Sequence, residues 1–134
     1  MSYSNKYRVF QGELIIYEDK TDNVLWKGKP LDVDVEKVSR IPDSEDMIVL
    51  LNWIKAESQH KKNLIRITPL GDIVWQVERP SIKQQGPSRD DIRGEVYTDI
   101  TNIESDCVTA YAYSGYSDFI DIRNGKIIKS VFVK

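Results

Sequence analysis

At 134 residues, with 40% hydrophobic and 30% charged side chains, the chain has the size and mix of one soluble globular domain. Its formal net charge of −2 argues against a generic nucleic-acid binder, which is usually basic. Its longest apolar run, Met47–Leu51, is far short of the roughly 20 residues that a membrane-spanning helix needs.

A domain of this size buries about two-thirds of the surface its unfolded chain exposes, so a core forms without metal or disulfide. Cys107 is the single cysteine and has no partner for an internal disulfide, which fits a reducing compartment. The first residues, MSYSNKYRVFQGE, lack the apolar stretch of a signal peptide. The expected location is therefore the cytoplasm.

In chain order, residues 1–6 are polar. Residues 7–10 start a strand that Gln11-Gly12 breaks. Residues 14–17 and 24–26 are short β-favouring runs around a polar turn, the signal of a hairpin. Leu31, Val33 and Val35 alternate with Asp32, Asp34 and Glu36, which predicts a strand with one wet face. Residues 42–46 form a turn. Residues 47–54 are apolar apart from Asn52, as in a strand buried on both faces. A polar connection, 55–62, leads to the central hairpin of 63–77, which turns at Pro69-Leu70-Gly71-Asp72. Residues 81–94 are the longest irregular segment, and loops beyond about 12 residues are often functional. Strands follow at 95–103 and 107–113, then a tight turn and a last hairpin that reaches Val133.

The hairpin recurs three times, at 13–27, 63–77 and 117–131. A larger unit of four strands also repeats. Asp46-Met47-Ile48 sits opposite Asp106-Cys107-Val108, Leu64-Ile65 opposite Phe119-Ile120, and Gly71-Asp72-Ile73-Val74 opposite Gly125-Lys126-Ile127-Ile128. The units are 13–28, 31–79 and 95–133 within one domain, 1–134. Four-strand repeats of roughly 40–50 residues are the pattern of propeller blades.

Gly71-Asp72-Ile73-Val74-Trp75 resembles the outer hairpin of quinoprotein-type β-propeller repeats. Asn23-Val24-Leu25-Trp26 has the same ending after a longer turn, and Gly125-Lys126-Ile127-Ile128-Lys129 lacks the tryptophan. The end of the chain, from Tyr113-Ser114-Gly115-Tyr116 onward, resembles short uncharacterised bacterial all-β proteins. The resemblance implies an all-β, antiparallel fold: about two and a half propeller-like four-stranded repeats in a compact sandwich- or barrel-like unit. It carries over no catalytic residue and no quinone or calcium site, so no cofactor is expected. A propeller closes with roughly 4–8 blades, so the missing blades also point to association with copies of the chain itself.

No catalytic constellation stands out. His60, the single histidine, lies in a polar connection with no nucleophile nearby and reads as a loop residue. Cys107 follows Glu104-Ser105-Asp106, an acidic setting that works against a reactive thiolate, and reads as a strand residue. One Cys and one His do not make the usual zinc site. Asp32 and Asp34 share a strand face; Asp118 and Asp121 fall on opposite faces. Asp32 and Asp34 read first as a wet face, and Asp118 and Asp121 do not form an obvious acid/base pair. Trp26 and Trp75 hold equivalent repeat positions and read as packing between sheets. Tyr111, Tyr113 and Tyr116, with Trp53 matching Tyr113, form an aromatic cluster of the kind enriched at binding hot spots. Arg89 and Arg93 in the 81–94 loop are further candidate contacts.

The expected function is a non-enzymatic cytoplasmic interaction module that binds another protein, in the manner of an inhibitor or immunity factor. The alternative is a small-molecule binding domain, or a hydrolase whose acids are Asp32, Asp34, Asp118 and Asp121 in a cleft between sheets.

Overall fold

The computed structural model describes residues 5–52, 62–77, 96–113 and 115–133. All regular structure among them is β, apart from one 3-10 turn at Pro30–Asp32. Sheet one is β1 (Asn5–Phe10), β2 (Glu13–Glu18) and β3 (Val24–Gly28). Sheet two is β4 (Val35–Arg40), β5 (Met47–Leu51), β6 (Leu64–Ile67) and β7 (Ile73–Gln76). Sheet three is β8 (Tyr97–Ile103), β9 (Cys107–Ala112), β10 (Tyr116–Asp121) and β11 (Ile127–Phe132). Each sheet is an antiparallel meander in chain order.

The three sheets stay separate and are not closed into a barrel; they pack face on face in series. Leu14 and Ile16 of sheet one pack on Met47, Val49, Leu51, Ile65 and Ile67 of sheet two. The opposite face of sheet two, with Ile48, Leu50, Leu64 and Trp75, packs on Val108, Ala110, Tyr116 and Ile120 of sheet three. All of β5 is buried because sheet two is covered on both faces, which is why its sequence shows no alternation. The inner strands converge: β1 meets β4, and β4 and β5 meet β8.

Two readings from the sequence are corrected. First, residues 31–34 are not strand. Leu31 (φ 55°) and Asp32 (φ 59°) are left-handed, and Val33 N–H donates to the Pro30 carbonyl at 3.1 Å. This turn breaks the chain between sheets, yet Leu31, Val33 and Val35 still pack on the core between sheets one and two, so the period-two alternation records burial without a strand. Second, the first unit begins earlier than residue 13. Asn5–Phe10 pairs with β2 along its whole length and gives sheet one a third strand.

Polar side chains tie the sheets together. Asn63 is fully buried between sheets two and three. Its amide nitrogen donates to the Leu51 carbonyl at 3.0 Å and the Tyr97 carbonyl at 2.8 Å, and its oxygen accepts from Tyr97 N–H at 2.9 Å. The side chain stands in for a strand's peptide group. Asn63→Leu, of similar volume, leaves those backbone groups without their partner. We expect a loss of about 2–4 kcal/mol in urea unfolding; a loss below about 0.5 kcal/mol would show the bridge to be dispensable.

Candidate functional site

The sheets are joined by one contact made twice. The turns after β2, β6 and β10 are built alike. Glu18 N–H donates to the Asn23 carbonyl and Asp22 N–H to the Glu18 carbonyl; Asp121 N–H donates to the Lys126 carbonyl and Gly125 N–H to the Asp121 carbonyl. In sheet two the turn is one residue shorter, with Thr68 N–H on the Asp72 carbonyl and Gly71 N–H on the Thr68 carbonyl. Asp22 (φ 58°), Gly71 (φ 84°) and Gly125 (φ 76°) hold the same left-handed position.

Four residues after each of these positions come Trp26, Trp75 and Lys129. Each follows a strand irregularity and pairs with the same register position, Ile16, Arg66 and Phe119 respectively. The two tryptophans reach forward onto the next sheet. The Trp26 ring lies on Gly71, where a Cβ would collide with the indole nitrogen. The Trp75 ring lies on Gly125, where a Cβ would stand 2.5 Å from Cε3. Trp75 Nε1–H also donates to the Ile122 carbonyl at 2.6 Å, and Arg66 donates to that carbonyl at 2.9 Å while pairing with Asp46. Glycine is needed at 71 and 125 for both the backbone angle and the space.

This register shifts the sequence alignment of the repeats. Leu64-Ile65 matches Ser117-Asp118, and Ile67 matches Ile120, two residues earlier than expected from the sequence. The shorter turn in sheet two hid the offset.

The series is open at both ends among the described residues. On sheet one, Arg8, Ile15, Tyr17, Asp22 and Val24 line a groove of about 260 Å³ on the face turned away from sheet two. It lies at the turn position that, in the other two sheets, receives a tryptophan ring from the preceding sheet. Val24 is 58% exposed, and Ile15 forms the floor. Lys6 and Lys27 flank it, pairing with Asp19 and Glu13; Asp19 holds the Lys6 ammonium above its ordinary pKa. At the other end, the outer face of sheet three carries Phe119, with the Lys129 ammonium 4.8 Å above its ring, and the exposed Val131.

The residues singled out from the sequence do not form one site. Tyr113 is 62% exposed at the end of β9, and Tyr111 is half-buried on the outer face of sheet three. Tyr116 is 1% exposed, inside the packing against sheet two, with its ring tilted at 60° to that of Phe132 and their centroids 5.2 Å apart. Trp53, Arg89, Arg93, His60 and the 81–94 loop lie outside the described residues. Cys107 is half-buried; burial pushes its thiol pKa up, and Asp106, Glu104 and Asp121 add to the effect.

The four acids are scattered. Asp32 sits in the 3-10 turn, and Asp34 packs beneath Gly12 and pairs with Lys29 at 3.0 Å. Asp121 is held below the usual carboxylate range by its hydrogen bonds from the Arg123 side chain and backbone. Asp118 is fully buried on the opposite face of the same strand. It accepts from Tyr97 Oη–H and from Ser130 Oγ–H, each at 2.6 Å. No cluster of metal-ligating side chains occurs among the described residues, and no helix there is long and apolar enough to cross a membrane. The groove itself was not foreseen. The signal available was the pair of departures from the repeat, Asp22 in place of glycine and Lys129 in place of tryptophan.

Comparison with solved structures finds propeller-like relatives by shape alone. The computationally designed protein Ika8 matches over 100% of this chain at 12% identity and a TM-score of 0.65. BamB from Moraxella catarrhalis matches over 96% at 14% identity and 0.63. The β-propeller domain of Myceliophteria thermophila Cps50 (Swd1) matches over 92% at 8% identity and 0.61. This chain spans 35%, 34% and 38% of those chains respectively, about a third of each. Comparison with curated proteins found no match. A family model, described as a domain of unknown function, matches residues 16–132, and the chain therefore belongs to the DUF7957 family.

Proposed function

We propose that the protein is a non-enzymatic, cytoplasmic interaction module that binds another polypeptide through the open face of sheet one. The observation that supports this is the groove at the unfilled tryptophan position. The two equivalent positions in the chain are covered by a neighbouring sheet, while here Val24 and Tyr17 face outward beside Arg8 and Asp22. Apolar side chains ringed by charge are the usual composition of a reversible protein interface. The reading is further supported by the four acids named from the sequence, of which Asp118 and Asp121 lie on opposite faces of β10 and Asp34 pairs with Lys29, so they do not converge on one substrate position.

Lysine-directed cross-linking in the source cells tests the reading, because Lys6, Lys20 and Lys27 are exposed residues of sheet one and its turn. We expect links from these lysines to a second polypeptide, and their loss in Val24→Arg. That variant alters an exposed side chain, so its melting temperature stays within a few degrees of wild type. Links that persist unchanged in Val24→Arg, or their complete absence in the wild type, would count against the groove as the binding surface.

A further inference from the structure

Resting on that reading, we infer that the occupant of the groove is a second copy of this chain, docked head to tail, with Lys129 of one copy facing Asp22 of the other. Both sheet interfaces within the chain have the same direction. The residue four positions after the turn glycine reaches from one sheet onto the turn of the next. Continued past sheet three, that rule makes Lys129 the reaching residue. Continued before sheet one, it makes Asp22 the receiving one. The two departures from the repeat are complementary. Where tryptophan meets glycine inside the chain, a cation meets a carboxylate at the junction between copies.

The remainder of the two faces fits. Phe119 and Val131 stand on the outer face of sheet three, and Ile15, Tyr17 and Val24 on that of sheet one. A lysine reaches about as far as a tryptophan. Asp22 at the receiving position would obstruct an indole ring, because even a methyl group collides with the ring at Gly71. The same substitution that closes the position to tryptophan thus opens it to an ammonium. Three sheets per chain give six in a closed pair, within the roughly 4–8 blades of closed propellers. A pair of this kind has two identical junctions and no free end.

Charge exchange tests this. Lys129 and Asp22 are both exposed in the single chain, so the variants Lys129→Asp and Asp22→Lys should melt like the wild type. In sedimentation equilibrium over the micromolar range the wild type should approach twice the 15.5 kDa chain mass. Each single variant places like charges at both junctions and should associate about tenfold more weakly or worse. An equimolar mixture of the two variants should recover the paired mass. In the mixed pair, one junction brings the two substituted side chains together with their charges exchanged, and the other is wild type. Recovery by mixing requires a head-to-tail contact. A wild type that stays at the single-chain mass would overturn the inference, as would a pair indifferent to both variants. If the wild type stays single yet Lys6, Lys20 or Lys27 cross-links to a different protein, the self-pairing fails and the interaction-module reading stands.

Discussion

Asp118→Ala should destabilise the protein by about 3–5 kcal/mol, lowering the melting temperature by roughly 10–20 °C. The carboxylate ties three strands of one sheet. Tyr97 on β8 donates to one oxygen and Ser130 on β11 to the other, with Asp118 on β10. Removing it takes this acceptor from a buried tyrosine hydroxyl and a half-buried serine hydroxyl, and each hydrogen bond lost to a charged group costs about 1.5–3 kcal/mol. A cavity adds to the loss. The matching positions in the other sheets are Ile15 and Ile65, so the network belongs to sheet three alone. Tyr97→Phe removes one donor and should cost about 1–2 kcal/mol. The double variant should lose less than the sum of the singles, because each single variant already breaks the same Tyr97–Asp118 bond. A loss below about 1 kcal/mol for Asp118→Ala in denaturant unfolding would show that the network contributes little to stability.

Trp75→Ala should cost about 4–5 kcal/mol, near the top of the range for a buried aromatic. Its ring is 8% exposed, fills the contact with Gly125 and donates to the Ile122 carbonyl. Trp26 makes the same type of contact on Gly71 but is only half-buried. Trp26→Ala should therefore cost less, about 2–3 kcal/mol. Gly125→Ala attacks the same contact from the other side. It adds a methyl group against the ring and forces a left-handed residue, for about 2–4 kcal/mol. Urea unfolding of the three variants should rank them with Trp75→Ala the most damaging. If Trp26→Ala proved equal or worse, the first interface and not the second would be the stronger one.

The strands were legible because each sheet face leaves its own mark. Sheet two, covered twice, shows unbroken apolar runs at Met47–Leu51. Sheet three, covered once, alternates buried and half-buried along Tyr116–Asp121. The repeat was legible through Trp26 and Trp75, which do pack between sheets as expected. The separation of the sheets was not, because two successive left-handed residues at Leu31 and Asp32 have no signature stronger than the alternation around them. The buried role of Asp118 was not legible because sequence alone does not show which face of β10 is covered. Tyr116 was grouped with Tyr111 and Tyr113 for proximity in sequence, yet it lies on the opposite face from Tyr111. The groove was invisible because it is made of a missing neighbour. Only the structure shows that Asp22 stands where Gly71 and Gly125 receive a ring.

Native mass spectrometry of the protein purified from its source cells tests the interaction-module reading most directly. A mass of two chains, or of one chain with a second protein, is the predicted result. A bare species at 15.5 kDa, with no partner at any concentration tried, would contradict it.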